Sequence, residues 1–197
     1  SKNPGLFVSN MLMQDFVARS ETNVSNSEPS LVIANFNVIN YLDWSKFKCF
    51  LGNLSAKVNA GSIFIFDTWS LEFVQSHPHN QESESTFNLT EDLLAINHPD
   101  KSFSITRKST SNFIQSKSCL DIKFDFYKNI DSSSVYLGSE NHHIYPFSIA
   151  NLITLLTCND LWELTLTIPH DLLNCSNCSD FSSYDNHRNW YLVLKRI

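Results

Sequence analysis

The segment from Leu31 to Trp69 has the pattern of a complete β-strand, α-helix, β-strand unit. Its two ends, 31–41 and 61–69, are nearly continuous in β-branched and aromatic residues, which favours strands buried on both faces of a parallel sheet. Asp43 is placed to cap the helix between them, and Gly61 stands where that helix must end. The apolar positions of the helix recur at steps of three and four residues: Trp44, Phe47, Leu51, Leu54 and Val58.

This unit also indicates where function should lie. A right-handed crossover places the residues that follow each strand along one edge of the sheet, and open α/β sheets bind ligands at that edge. Here those residues are Asn35 to Tyr41 and Asp67 to Trp69. We therefore expect the functional site beside these two segments.

The rest of the chain predicts an antiparallel meander, a helix and two final strands. Residues 75–101 are polar with few structural signals, and 129–134 form a turn-rich connection. Ser148 is placed to cap a short helix with an apolar stripe. The predicted strands cover 103–107, 120–126 and 142–147 in the meander, and then 162–168 and 190–194, joined by a hairpin-like connection.

Three motifs carry a resemblance to a known family. They are Phe36-Asn-Val-Ile-Asn-Tyr41, Asn59-Ala-Gly-Ser-Ile-Phe-Ile-Phe-Asp-Thr-Trp69 and Glu140-Asn-His-His-Ile-Tyr-Pro-Phe147. In this order, over about residues 5–197, they resemble the second half of a class I S-adenosylmethionine-dependent methyltransferase of the small-molecule and sugar-modifying branch. Ala60 and Ser62 depart from the Lys-Pro-Gly-Gly turn that is common in that family.

The resemblance implies an α/β fold. It predicts the C-terminal part of a Rossmann-like methyltransferase sheet, with the last strand antiparallel and an antiparallel β-meander inserted at residues 70–147. The family's Gly-x-Gly-x-Gly loop has no counterpart among the four glycines, Gly5, Gly52, Gly61 and Gly138. Such glycines let the backbone approach the cofactor closely. We therefore expect residues 1–197 to form a single methyltransferase-like domain, truncated at its N-terminus and without the first two βα units.

The resemblance also assigns candidate site residues. It implies methyl transfer from S-adenosylmethionine, with Ala34, Asn35, Phe36 and Asn37 at the methionine end of the cofactor. Leu12 and Met13 would lie beside the adenine, and Trp69 and Tyr145 would line the acceptor site.

Transfer to a hydroxyl or an ammonium group requires a general base, for which carboxylate and imidazole side chains are the usual choice. Asp67 and His142 are our candidates, and His77 and His143 are weaker ones. Each has a structural alternative. Asp67 is equally well placed to cap a nearby backbone group, and only one of His142 and His143 can face the pocket because neighbours on a strand point to opposite faces.

Composition excludes several other classes of function. The net charge is −6 and no basic cluster occurs, which disfavours nucleic-acid binding. No apolar run reaches the length of a membrane span, and no signal peptide is visible, so we expect no membrane partner and a cytoplasmic location. Cys175 and Cys178 have metal-ligand spacing, with His170 and His187 near them in sequence, but a single such pair is a weak signal, and we expect no resident metal.

The sequence thus predicts an enzyme that transfers a methyl group to a small molecule, such as a sugar or an amine. Two alternatives stay open. The chain could be a non-catalytic binding module that has lost the cofactor loop, or a different doubly wound enzyme that uses a nucleotide. A Gly-x-Gly-x-Gly sequence upstream would favour the methyltransferase, and its absence would favour the module.

Overall fold

The structure, a computed structural model, describes residues 28–79, 82–88, 103–130, 133–170 and 187–197. The strands are β1 (Leu31–Ala34), β2 (Ile63–Trp69), β3 (Ser83–Asn88), β4 (Ser104–Ile114), β5 (Cys119–Ile130), β6 (Ser133–Ile144), β7 (Trp162–Pro169) and β8 (Asn189–Arg196). The α-helices are α1 (Trp44–Lys57), α2 (Leu71–Ser76) and α3 (Ile149–Thr157), and 3-10 turns occur at Val38–Tyr41 and Gln115–Lys117.

Four strands form a mixed sheet in the order β1-β2-β8-β7. Strands β1 and β2 are parallel, with Leu31 beside Ile63, which confirms the predicted β-α-β unit. Strand β8 lies between β2 and β7 and is antiparallel to both, as predicted for the last strand. Strand β2 is therefore an inner strand, and its end can present side chains to the edge of the sheet.

Helix α1 follows the predicted pattern. The Asp43 carboxylate caps it by accepting a hydrogen bond from the Lys46 N–H at 2.9 Å. Its buried side chains, Phe47, Leu51 and Leu54 among them, pack in one core with aromatic residues of β2. Gly61 then adopts a φ of +83°, a conformation that favours glycine, where the chain turns into β2.

The core lies mainly on one face of this sheet. Phe64 and Phe66 of β2 and Leu192 and Leu194 of β8 are fully buried there with residues of α1 and α3. On the other face, Leu31 and Ile33 of β1 are exposed. The prediction of strands buried on both faces is therefore not met in the described part of the chain. The reason is that α1 and α3 both pack on the face that carries Phe64 and Phe66.

The first predicted strand is also shorter than expected. Strand β1 ends at Ala34, because Phe36 and Asn37 both have positive φ angles, +63° and +57°, which an extended strand cannot contain. The chain then forms the 3-10 turn Val38–Tyr41. The apolar run 31–41 thus supplies a short strand and a turn at the edge of the sheet.

The second sheet is an antiparallel meander in the order β3-β4-β5-β6. The meander itself is confirmed, but it has four strands, longer than predicted, and β3 lies in the stretch 75–101 that showed few signals. Strands β5 and β6 extend through most of the predicted turn at 129–134. Sequence patterns missed these extensions because much of β6 is exposed, so no apolar alternation marks it.

The two sheets meet at Phe147 and the end of β2. The Phe147 N–H donates to the Trp69 carbonyl at 3.0 Å, and the Leu71 N–H donates to the Phe147 carbonyl at 2.9 Å. Helix α3 follows directly, with the Ser148 hydroxyl accepting from the Asn151 N–H at 3.5 Å, as the predicted cap. A small cluster of Val74, Leu120 and Ile144, with Trp69 packed against it, fills the space between the sheets.

Candidate functional site

The candidate site is built around the segment Asn37–Tyr41, which follows β1 at the edge of the main sheet. Asp67 holds the start of this segment, since its Oδ1 accepts a hydrogen bond from the Asn37 N–H at 2.8 Å. This contact fixes two consecutive left-handed residues, a conformation that is costly for Phe36 and tolerated by Asn37. The carboxylate therefore stabilises the strained turn that the resemblance assigns to the cofactor.

Asp67 lies within β2 rather than at its end and is 5% exposed. Burial raises the pKa of its carboxyl group above the usual value of 3.8, while hydrogen bonds from the Asn37 and Phe36 backbone act in the opposite direction. The capping role, one of the two alternatives for this residue, is thus present in the structure. A base role for Asp67 stays a prediction.

Asn40 is the fully buried centre of the site. Its amide nitrogen donates to Thr68 Oγ1 and to the Tyr145 carbonyl, both at 2.8 Å. The side-chain Oδ1 of Asn40 accepts a hydrogen bond from the Trp69 N–H at 2.9 Å, and the backbone carbonyl of Asn40 accepts one from the Tyr145 N–H at 2.7 Å. One side chain therefore joins the end of β2 to the chain that leaves β6.

His142 lies at the other end of the segment, close to Tyr41. Its Nδ1 is 2.5 Å from the Tyr41 hydroxyl, and its Nε2 is 3.4 Å from a Glu140 carboxylate oxygen. The side chain is partly buried, and its ring packs edge-on against Phe124. Burial, followed by the nearby Glu140 charge, raises the pKa of Tyr41, so the phenol stays protonated at neutral pH.

The two adjacent histidines separate as the strand geometry requires. His142 pairs with Ile122, while His143 pairs with Asp121, so the two side chains lie on opposite faces of the β5–β6 pair. His143 Nδ1 is 2.7 Å from Asp121 Oδ1, away from Tyr41. His77, the remaining histidine candidate, stacks on Phe73 at the end of α2.

At this edge of the sheet, a cationic side chain stacks on the Trp69 ring. The Arg188 guanidinium lies over the Trp69 ring, 4.1 Å from the centroid, and burial against neighbouring groups lowers the pKa of Arg188. Arg188 as a residue is nevertheless exposed. The Trp69–Arg188 pair therefore presents both an aromatic ring and a positive charge to a ligand.

The remaining predicted site residues differ in how accessible they are to a ligand. Ala34 is buried in the core, so only its backbone can reach a ligand, whereas Asn35 and Phe36 are exposed. Tyr145 contributes its backbone to Asn40, and burial raises the pKa of its phenol. Leu12 and Met13 lie outside the described residues. Their roles, and those of the other predicted site residues, stay predictions.

Sequence reasoning did not single out four residues of this site. Asn40 and Tyr41 were only part of the segment placed at the edge of the sheet, Glu140 was only part of a motif, and Arg188 was not considered. The contact between Tyr41 and His142 spans 101 residues, and no local periodicity can reveal such a contact. For Asn40, the signal available was a polar residue inside an otherwise apolar run.

Comparison with solved structures identifies the fold. No protein-family model matches the sequence, and no curated protein matches it. A S-adenosylmethionine-dependent methyltransferase from Clostridium acetobutylicum is 14% identical, with a TM-score of 0.58 over 84% of this chain. The chain has the fold of a class I methyltransferase. The predicted resemblance is therefore confirmed at the level of the fold.

Two further structures share this fold. CalS10, an amino pentose methyltransferase from Micromonospora echinaspora with S-adenosylmethionine bound, is 10% identical, with a TM-score of 0.53 over 85% of this chain. The sugar N-methyltransferase KedS8 from Streptoalloteichus is 11% identical, with a TM-score of 0.52 over 83% of this chain.

This chain spans only part of these structures. It covers 57% of the Clostridium protein, 58% of CalS10 and 55% of KedS8. Among the described residues, none of the helices combines the length and apolar character that crossing a membrane requires.

Proposed function

We propose that this chain belongs to an enzyme that transfers a methyl group from S-adenosylmethionine to a small molecule, with a hydroxyl or amine of a sugar as the acceptor. The observation that carries the proposal is the shared fold, with the edge of the main sheet and the Tyr41–His142 pair forming one site. Two of the similar structures are methyltransferases of an amino pentose and of a sugar nitrogen.

The turn at Ala34–Asn37 suits the methionine end of the cofactor. Asn37 Oδ1 is buried and has no hydrogen-bond donor within the described ranges, so it can accept a bond from an ammonium group. Phe36 is 89% exposed beside it and can cover an apolar part of the ligand. The adenine side would require Leu12 and Met13 or residues upstream.

The chemistry asks little of the protein beyond positioning and one proton transfer. S-adenosylmethionine supplies an electrophilic methyl group on a sulfonium, and in-line attack depends on the placement of the acceptor. In our proposal the acceptor proton passes to the Tyr41 oxygen as the Tyr41 hydroxyl proton passes to His142 Nδ1. Glu140, beside Nε2, then stabilises the imidazolium.

The Tyr41 hydroxyl is protonated at neutral pH and lies against His142 Nδ1, so it can pass its proton to the imidazole as it accepts one. Arg188 on Trp69 would contact the acceptor at the end of β2. Its exposed guanidinium favours an acceptor that carries a negative group, such as a phosphate.

Calorimetric titration with S-adenosylmethionine and S-adenosylhomocysteine tests the cofactor part. We expect binding by this chain, and Asn37→Gly should weaken it, because glycine keeps the left-handed backbone and removes only the side-chain acceptor. Asn53→Ala on helix α1 is the matched control. Unchanged affinity in Asn37→Gly would contradict this placement of the cofactor.

Methyl transfer to a panel of amino sugars tests the chemistry. Tyr41→Phe and His142→Gln should each lower kcat by about 10²-fold or more, the contribution typical of general base catalysis, with cofactor affinity unchanged. Tyr136→Phe, at an exposed position on β6, is the control for loss of a phenol hydroxyl. Equal kcat values for Tyr41→Phe and Tyr136→Phe would exclude the relay.

The second candidate is a binding module without catalysis. It is favoured by the sequence, which contains no Gly-x-Gly-x-Gly segment. A folded sample that binds neither S-adenosylmethionine nor S-adenosylhomocysteine, even when upstream sequence is added, would support this candidate and exclude the enzyme.

A further inference from the structure

Three side chains of the types that ligate metals meet on one face of the β5–β6 pair. Cys119 and Asp121 are two residues apart on β5 and so point to the same side. His143 on β6 is the direct partner of Asp121 in the strand register. The backbone pairing of two long strands therefore fixes the relative positions of the three groups.

Their distances are close to those of a metal site. His143 Nδ1 is 2.7 Å and Cys119 Sγ is 3.5 Å from the same Asp121 oxygen, and all three donor atoms lie within 4.8 Å of one another. In tetrahedral zinc sites the bonds of about 2.0–2.3 Å place neighbouring donors roughly 3.3–3.7 Å apart. Small side-chain adjustments would open this cluster enough to hold an ion.

We propose that Cys119, Asp121 and His143 bind a divalent transition-metal ion of the zinc type. A thiolate, an imidazole and a carboxylate together favour zinc over magnesium or calcium, which prefer oxygen ligands. The thiolate and the carboxylate would balance both charges of the ion. A water would complete the fourth position.

Burial and access are arranged as such a site requires. Cys119 is 2% exposed at the base, while the side chains of Asp121 and His143 are 36% and 65% exposed at the entrance. An open groove of about 540 Å³ runs past Asp121 and His143. Burial, followed by Asp121, raises the pKa of the Cys119 thiol, so an ion that binds there must displace its proton, and the charge of nearby Lys117 opposes this shift only in part.

This site is independent of the proposed methyl transfer. Asp121 and His143 face away from His142, which lies on the side of Ile122. The ion would join β5 to β6 on the outer face of the meander. Its role there would be to stabilise the second sheet, whose own buried cluster is small.

Titration of the metal-free full chain with Zn²⁺, followed by calorimetry, and with Co²⁺, followed by its thiolate charge-transfer absorption, tests the proposal. We expect one ion to bind per chain at this site. Cys119→Ser should abolish the Co²⁺ thiolate band, and His143→Gln, at an exposed position that tolerates substitution, should weaken Zn²⁺ binding about tenfold or more. Cys158→Ser, at an exposed cysteine, is the control.

Zn²⁺ or Co²⁺ could instead bind to Cys175 and Cys178. The Cys119→Ser and His143→Gln variants are therefore also made in a Cys175→Ser/Cys178→Ser background. Binding that persists in this background and is lost with Cys119→Ser or His143→Gln supports the site. The proposal is overturned if no ion binds, if binding disappears with Cys175 and Cys178, or if it persists unchanged in both Cys119→Ser and His143→Gln.

Discussion

At the scale of single residues, the Asn40 side chain connects the end of β2 to the segment that follows β6. This side chain forms three hydrogen bonds while fully buried. Asn40→Ala would leave the Trp69 N–H and other buried groups without their partners, which costs about 1–3 kcal/mol for each unsatisfied group. We expect the free energy of unfolding to fall by about 2–4 kcal/mol, measured by urea denaturation followed by circular dichroism.

Asn53→Ala is the control, because the Asn53 amide has only a 3.5 Å contact with Cys49 Sγ and lies in a helix where alanine is favourable. A loss for Asn40→Ala no larger than the change for Asn53→Ala would show that Asn40 does not hold the two sheets together.

Asp67 should give the protein a specific pH dependence. Because burial raises its pKa in the folded state, this group contributes stability that is fully present below its unfolded pKa, near 3.8. That contribution is lost as the pH rises through the raised folded-state pKa. Asp67→Asn does not titrate, so its unfolding free energy relative to the natural protein should increase over this range and then level off.

Urea unfolding at a series of pH values measures this difference. Glu163→Gln, at an exposed position on β7, controls for the change of charge. The assignment fails if the Asp67→Asn difference decreases as the pH rises.

Residue types alone could indicate only part of this site. The pattern placed Asp67 at the end of its strand, whereas the residue lies within β2, and it left capping and catalysis as equal alternatives. The hydrogen bond to Asn37 could not be predicted, because it depends on two residues with positive φ inside an apolar run that resembled a strand. Likewise, the pairing of Tyr41 with His142 depends on the placement of the meander.

At the scale of elements, the two glycines Gly61 and Gly52 should behave in opposite ways. Gly61 has a φ of +83°, and a Cβ there would lie 3.3 Å from Pro29 Cγ, so Gly61→Ala should destabilise by about 1–2 kcal/mol. Gly52 lies within α1 with open space around it, so Gly52→Ala should stabilise by about 0.5–1 kcal/mol. Thermal unfolding of both variants compares them, and a shift in the same direction would contradict the assigned conformations.

The elements that were predicted well are those with local signals. Helices α1 and α3 have a capping side chain and an apolar stripe, which are properties of a few adjacent residues. Strand β3 and the outer half of β6 lack both, because they are held by backbone pairing and much of their surface is solvated. Their polar sequence is typical of loops as well as of such strands.

At the scale of the molecule, stability should be uneven between the two sheets. The main sheet shares one large buried cluster with α1 and α3, whereas the cluster at the meander has three buried residues, Val74, Leu120 and Ile144. Hydrogen exchange measured by mass spectrometry should therefore show the strongest protection in β2 and β8. Within the described strands, residues 133–138 of the edge strand β6 should exchange much faster.

Peptides from helix α1, whose buried face belongs to the core of the main sheet, provide an internal reference. Equal protection in 133–138 and in β2 would show that both sheets open only together.

The overall architecture could be predicted from the sequence because the order of the elements is itself distinctive. The contact surface between the two sheets could not, because it is formed by residues from several distant segments.

The placement of the tryptophans gives the protein an intrinsic optical probe. Trp162 and Trp190 are fully buried, so their emission should change chiefly on unfolding. Trp69 instead lies beneath the Arg188 guanidinium at the edge of the sheet, where an incoming ligand would displace or reorient that cation. Fluorescence of a variant that keeps only Trp69 would then report occupancy of the site directly, without a dye or a coupled assay.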